Sequence, residues 1–291
     1  MRERSMKKTI ISDQISMDFE EALLKIENHF QYVEIHSLWN KTVEELDDDE
    51  AREVEALLKK HGVRVSCLST TLFLMCPLYT GVQSLERFND TFLVFTGDVS
   101  RHTECLKKCI ELSSRFDTEY IRIFPFRLEK GIDRDFDFLI ADMKDTLDDA
   151  VILAEKEKKC LLLENCPYSY LPRGAMTCEL AESIGSNHLM LLYDVGNSFT
   201  SADRRIPDRF KHVSLIDEYG MIKERVRYFH FKDYRQTKSG FQHAVFGEGD
   251  VGYQDMYHLI NKDGGDRIVS LEPEVEGNEL ELSITNFVSL P

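Results

Sequence analysis

Leu161-Leu162-Leu163-Glu164 is a short apolar run that ends in a carboxylate. The pattern recurs at Leu191-Leu192-Tyr193-Asp194, at Val226-Arg227-Tyr228-Phe229-His230 and at Ile268-Val269-Ser270-Leu271-Glu272. Apolar stretches of this length, bounded by polar turns and separated by helix-like segments, read as buried strands of a parallel sheet. In such sheets chemistry gathers at the carboxyl ends of the strands. Glu164, Asp194, His230 and Glu272 each stand at such an end, so the pattern predicts that they converge. A single acid there is commonly a helix N-cap, but three carboxylates and an imidazole together make an oxygen- and nitrogen-rich site for a divalent cation.

Outward from these four runs, eight strand-then-helix units can be counted. Thr9–Ser12, Tyr32–His36, Arg64–Ser69 and Tyr120–Phe124 are the expected first four strands. Asp18 is placed to cap a helix with Phe19, Ala22, Leu23 and Ile26 on one face, and Lys59-Lys60-His61-Gly62 is a helix stop signal. Repeated βα order without a linker or composition break predicts a single-domain (β/α)8 barrel over residues 1–291. An open doubly wound sheet is the alternative, but no Gly-x-Gly-x-x-Gly follows the first strand. Period-two alternation puts Ile268, Ser270 and Glu272 on one face, Tyr228, His230 and Lys232 on another, and Glu34 with His36 on a third. Two long loops, Thr70–Ser100 and the glycine-rich Asp233–Gly252, fall on the catalytic side, the second with the composition of a mobile lid or of an ordinary surface turn.

Net charge is -16, with 52 acidic against 36 basic residues. Such a surface repels phosphate backbones and anionic lipid, so neither nucleic acid nor a membrane is an expected partner. No apolar run approaches the roughly 18 residues that span a bilayer. The basic start, Met1 to Lys8, lacks a following hydrophobic core because Asp13 and Gln14 interrupt it, and the expected location is cytoplasmic. The seven cysteines are odd in number and include no Cys-x-x-Cys pair, which fits reduced thiols. Cys105 and Cys109 read best as two small residues on one buried helix face. A homo-oligomer is compatible with this composition.

Five motifs in order carry a family resemblance: Glu164-Asn165, Asp194-Val195-Gly196-Asn197, His230-Phe231-Lys232-Asp233, Gly247-Glu248-Gly249-Asp250-Val251 and Leu271-Glu272-Pro273. Tyr32-Val33-Glu34-Ile35, His61-Gly62-Val63-Arg64-Val65-Ser66 and Tyr120-Ile121-Arg122-Ile123-Phe124-Pro125 extend it through the first half. Together they resemble the xylose isomerase-like TIM-barrel superfamily, the sugar phosphate isomerase/epimerase group that also includes endonuclease IV. The resemblance implies one divalent metal, Mn2+, Mg2+ or Zn2+, held by Glu164, Asp194, His230 and Glu272. It also implies that Glu164 and Glu272 flank a carbohydrate substrate as an acid/base pair.

That chemistry is coherent. Moving a carbonyl, or inverting a carbon beside one, requires removing a proton from carbon to give an enediolate, whose charge a divalent cation stabilises. One carboxylate removes the proton and a second returns one, either to the same carbon (epimerisation) or to its neighbour (aldose–ketose isomerisation). The expected activity is therefore a metal-dependent isomerase or epimerase on a sugar or sugar phosphate. A dehydratase or lyase on the same scaffold is the alternative. An endonuclease IV-like hydrolase ranks lower, because strand three ends Ser66-Cys67-Leu68-Ser69 and Asn197 stands where the repair enzymes carry histidine. Expected substrate contacts are Lys232, Asn197, Arg122, His36, Arg235 and Glu248, with Arg127 a further candidate. Lys232 leads, since a lysine inside a barrel mouth needs an anionic partner, either a substrate or one of the glutamates. Asn197 and Glu274 depart from the relatives' pattern, which carries histidine at both places.

Overall fold

A computed structural model of the protein describes residues 6–79, 92–201 and 206–291. Eight parallel strands form its centre: β1 Lys7–Ile10, β2 Tyr32–Ile35, β3 Arg64–Leu68, β4 Tyr120–Ile123, β5 Cys160–Glu164, β6 Leu189–Asp194, β7 Val226–Phe231 and β8 Ile268–Leu271. They pair in the order β1-β8-β7-β6-β5-β4-β3-β2, and a parallel bridge between Ile11 and Glu34 brings β1 back beside β2. The result is a nearly closed eight-stranded TIM barrel.

The helices wrap its outside: α1 Phe19–Ile26, α2 Asp48–His61, α3 Val99–Arg115, α4 Phe136–Lys156, α5 Gly174–Ile184, α6 Val195–Thr200, α7 Asp208–Lys211, α8 Leu215–Ile222, α9 Tyr253–Asp263 and α10 Asn278–Val288. Local chemistry sets several of their ends. Asp18 accepts from the Glu21 amide at the start of α1, which buries Phe19, Ala22, Leu23 and Ile26. Gly62 ends α2 with φ +66, a left-handed conformation that glycine adopts without strain. Among the described residues no helix is long and apolar enough to cross a membrane.

Alternation divides the strand side chains into two cores. One lies between sheet and helices; the other fills the barrel with Cys67, Leu162, Met190, Leu192, Tyr228 and Ile268. Leu162, Leu192, Tyr228 and Ile268 precede Glu164, Asp194, His230 and, further on, Glu272 by even steps, which turns the polar residues to the same interior one layer higher. The barrel floor is thus apolar and its mouth ionic.

The structure corrects the expected elements in two places. Strand β1 begins and ends two residues earlier than the sequence suggests, because Ser12–Gln14 wind into a 3-10 turn. Asp233–Gly252 is not a glycine-loosened loop: Asp233–Thr237 and Gly240–Ala244 form an antiparallel hairpin. The Asp233 carboxylate then accepts from the amides of Gly247 (2.9 Å) and Gly249 (3.0 Å), pinning the following turn. A Cβ on Gly249 would lie 2.2 Å from Asp233 Oδ1, so this glycine permits close approach rather than flexibility. Of the expected Thr70–Ser100 loop, residues 80–91 lie outside the described part.

Candidate metal and active site

Glu164, Asp194, His230 and Glu272 are all buried, and each offers a ligating atom within 4.8 Å of the others. Each is held from its own strand end. Asp194 caps α6, its Oδ1 accepting from the Asn197 amide at 2.8 Å. Asn165 ties β5 to β6, donating to the Asp194 carbonyl and accepting from its amide, both at 2.9 Å. Gly196 lets α6 pass against β7, since a Cβ there would meet the Lys232 carbonyl oxygen at 2.7 Å.

His230 is oriented by a residue whose role was not read from sequence. Its Nε2 lies 2.8 Å from Glu34 Oε1, and Glu34 is steadied by the hydroxyls of Tyr228 (2.8 Å) and Ser69. Hydrogen-bonding Nε2 to a carboxylate leaves Nδ1 as the lone-pair nitrogen, which is how a ligating imidazole is commonly fixed. Nδ1 makes no hydrogen bond and faces Glu164 Oε1 at 3.6 Å and Glu272 Oε2 at 3.4 Å. The signal for Glu34 was present in the sequence, in its shared face with His36, but its partner lies 196 residues away.

Charge decides what this cluster can hold. Five carboxylates (Glu34, Glu164, Asp194, Glu272 and Glu274) meet two full cations, Arg122 and Lys232. With all five ionised, three negative charges are in excess of these cations, and two remain in excess when His230 is protonated, in a region where an unpaired charge is costly. Burial, with repulsion from Glu272 and Glu164, outweighs Lys232 and His230 and pushes Asp194 up to about 7. Burial would lower His230, yet Glu34, Glu272 and Glu164 raise it well above the usual histidine range. Burial opposes ionisation of Glu34 and Glu272 as well. His230, then Arg122, nevertheless holds Glu34 down at about 2, and Lys232, then His230, holds Glu272 well below the carboxylate range. A lone-pair nitrogen facing carboxylate oxygens, with a deficit of positive charge, fits a divalent cation in kind and in sign.

The expected substrate contacts divide into two groups. Arg122 is 1 % exposed and points inward, its Nη1 on Glu164 Oε2 at 3.1 Å and its Nη2 on the Ser69 carbonyl at 3.0 Å. Asn197 Nδ2 donates to the Asn165 carbonyl at 2.9 Å and approaches Glu164 Oε1 at 3.4 Å. Lys232 Nζ stands 2.8 Å from Glu272 Oε2, 3.0 Å from Asp194 Oδ2 and 3.2 Å from Glu274 Oε1, so its anionic partners are the site's own carboxylates. His36 is buried above Glu34, with Nδ1 2.8 Å from Asp13 Oδ2 and its ring stacked on Phe92 at 4.5 Å. Arg235 and Glu248 are exposed on the hairpin side, the Arg235 guanidinium donating to the Glu248 carbonyl at 2.9 Å, outside the buried cluster. Arg127 is buried away from the ligating group, over the Tyr168 ring. His243, on the hairpin, reaches Glu274 Oε2 with Nε2 at 2.9 Å.

Solved structures share this architecture at low sequence identity. A D-tagatose 3-epimerase-like protein superimposes with TM-score 0.70 at 17% identity, covering 97% of this chain and 96% of that one. The probable 3-DHS dehydratase AsbF of Bacillus anthracis gives 0.68 at 13%, covering 98% and 100%. A xylose isomerase-like TIM barrel protein from Mycobacterium smegmatis in complex with magnesium gives 0.65 at 14%, covering 98% and 95%. No curated protein matches the sequence. The sequence profile of the xylose isomerase-like TIM barrel family matches residues 25–286, and the chain belongs to that family.

Proposed function

We propose that the protein is a divalent-metal-dependent isomerase or epimerase acting on a sugar or sugar phosphate. The observation that carries this reading is the buried group Glu164, Asp194, His230 and Glu272, with His230 Nδ1 turned toward both glutamates and negative charge in excess. The four residues would hold Mn2+, Mg2+ or Zn2+, which when bound polarises a carbonyl oxygen as a Lewis acid.

The chain's own residues handle the protons. Glu164 and Glu272 stand at the ends of β5 and β8, with two strands between them in the sheet. One takes the proton from the carbon beside the substrate carbonyl, and the C–H electron pair moves onto the carbonyl to give an enediolate. The other returns a proton to carbon. Arg122 positions Glu164 through Oε2, leaving Oε1 toward the centre. Incubation in deuterated water with a panel of ketoses and ketose phosphates should place deuterium at that carbon. Glu164→Gln and Glu272→Gln should each slow exchange by at least about 100-fold. Exchange that persists in both variants refutes the acid/base assignment.

Lys232 favours a second reading, a dehydratase or lyase. An ammonium 2.8 Å from Glu272 places a proton donor beside a base, as loss of a hydroxyl requires. Water elimination from a hydroxy acid without exchange into any sugar would select it. A three-metal hydrolase has no support: among the described residues one ligating group is found.

A further inference from the structure

The ammonium of Lys232 stands against two oxygens a metal would use, hydrogen-bonded to Glu272 Oε2 and ion-paired with Asp194 Oδ2. Glu272 Oε2, which faces His230 Nδ1, is 2.8 Å from Nζ, and Asp194 Oδ2 is 3.0 Å away while Oδ1 is committed to capping α6. A divalent ion binding there would meet a cation within 3 Å of two of its ligands, a strongly repulsive arrangement at low dielectric. Among the described residues the remaining carboxylate beside Lys232 is Glu274, with Oε1 at 3.2 Å, on the mouth side of the site.

Glu274 is placed for this at a structural cost. Its φ of +48 is left-handed, a conformation that non-glycine residues adopt at a penalty and that persists where the surroundings hold it. Gln14 Oε1 accepts its amide hydrogen bond at 2.9 Å, and His243 Nε2 stands against its Oε2 at 2.9 Å. The carboxylate is thus held from both sides, with Oε1 left toward Lys232. With 35% of its side chain exposed, against 7% for Lys232 and Glu272, it is the outermost member of the ionic chain.

We infer that Glu274 is a positioning residue: it draws the Lys232 ammonium off Glu272 and Asp194 when the metal enters, and holds it at the barrel mouth. This rests on the metal reading above and extends it to a residue outside the ligating group. It follows that Glu274 acts on metal affinity only through Lys232.

A double-mutant cycle tests this. Metal-free wild type, Glu274→Gln, Lys232→Gln and the double variant are titrated with Mn2+ by calorimetry. Glu274→Gln should weaken binding about tenfold, within the coupling range of contacting charged groups, and Glu274→Asp should restore part of it. Lys232→Gln should bind at least as tightly as wild type, and adding Glu274→Gln to it should change nothing. Unchanged affinity in Glu274→Gln overturns the inference, as does an equal loss in both backgrounds, which would make Glu274 merely structural. Should Lys232→Gln not fold, Lys232→Met serves as the second background without a cation, in which loss of Glu274 should likewise change nothing. A wild type that takes up no Mn2+ overturns the metal reading itself, and this inference with it.

Discussion

Glu34→Gln separates the orienting carboxylate from the rest of the site. Glutamine keeps the side-chain shape and an acceptor for His230 Nε2–H but removes the charge. The depression of the Glu34 carboxyl from 4.5 to about 2 corresponds to about 3 kcal/mol in favour of its ionised form. Burial opposes this depression, and of the groups that produce it His230 comes first, ahead of Arg122 and Ser270. Because the folded-state value is the lower one, this contribution is fully present above pH 4.5 and is lost only as pH falls toward about 2. At neutral pH the whole effect is therefore available to the mutation. Removing such a partner from a ligating histidine weakens metal binding about 10- to 100-fold, or about 1.4–2.7 kcal/mol, which lies within the interaction just given. An opposing effect exists: without Glu34 the raised His230 falls back toward its ordinary range, so protons compete less for Nδ1. The loss should consequently be larger at pH 9 than at pH 6.5. Calorimetric titration with Mn2+ at both pH values reads this directly. Affinity equal to wild type at both would refute the view that Glu34 holds His230 for a metal.

Metal affinity of the wild type should itself drop at least about tenfold from pH 8 to pH 6, since Asp194, near 7, and the raised His230 must both lose a proton to ligate; a flat profile over that range would contradict this. Asp194→Ala should abolish unit stoichiometry in elemental analysis after manganese loading. Arg122→Met leaves Glu164 without its buried partner and should cost about 3–5 kcal/mol in chemical denaturation, part of it recovered on metal loading; a smaller loss in metal-free protein would mean that Glu164 is neutralised otherwise. Gly196→Ala forces a methyl to within 2.7 Å of the Lys232 carbonyl and should lower stability by about 1–3 kcal/mol, visible as a reduced Tm.

The barrel and the convergence of Glu164, Asp194, His230 and Glu272 were legible in the chain because both depend on local order. An apolar run such as Leu161–Leu163 makes a buried parallel strand wherever it lies, and parallel strands in a barrel all end at one rim. Naming the last residue of β5 and β6, and the residues near the ends of β7 and β8, therefore named a spatial cluster. The even steps Tyr228–His230–Lys232 and Ile268–Ser270–Glu272 likewise fixed facing before any contact was known. For Asp233–Gly252 the sequence left a mobile lid and an ordinary turn both open, because glycine count does not distinguish a flexible loop from a turn whose amides are gathered by one carboxylate.

What the sequence left open is the set of pairings across the barrel. Arg122 could have faced either way on β4, and only its closeness to Glu164 and the Ser69 carbonyl settles that it serves the site. Lys232 could have awaited an anionic substrate; distances of about 3 Å to Asp194, Glu272 and Glu274 show where its charge is answered. Glu34 meets His230 across 196 residues of chain. Periodicity determines which face of a strand a residue occupies, because backbone geometry alone sets it. Which partner it meets there depends on how eight strands close around a common axis, and the energy of a buried charge is decided by that partner.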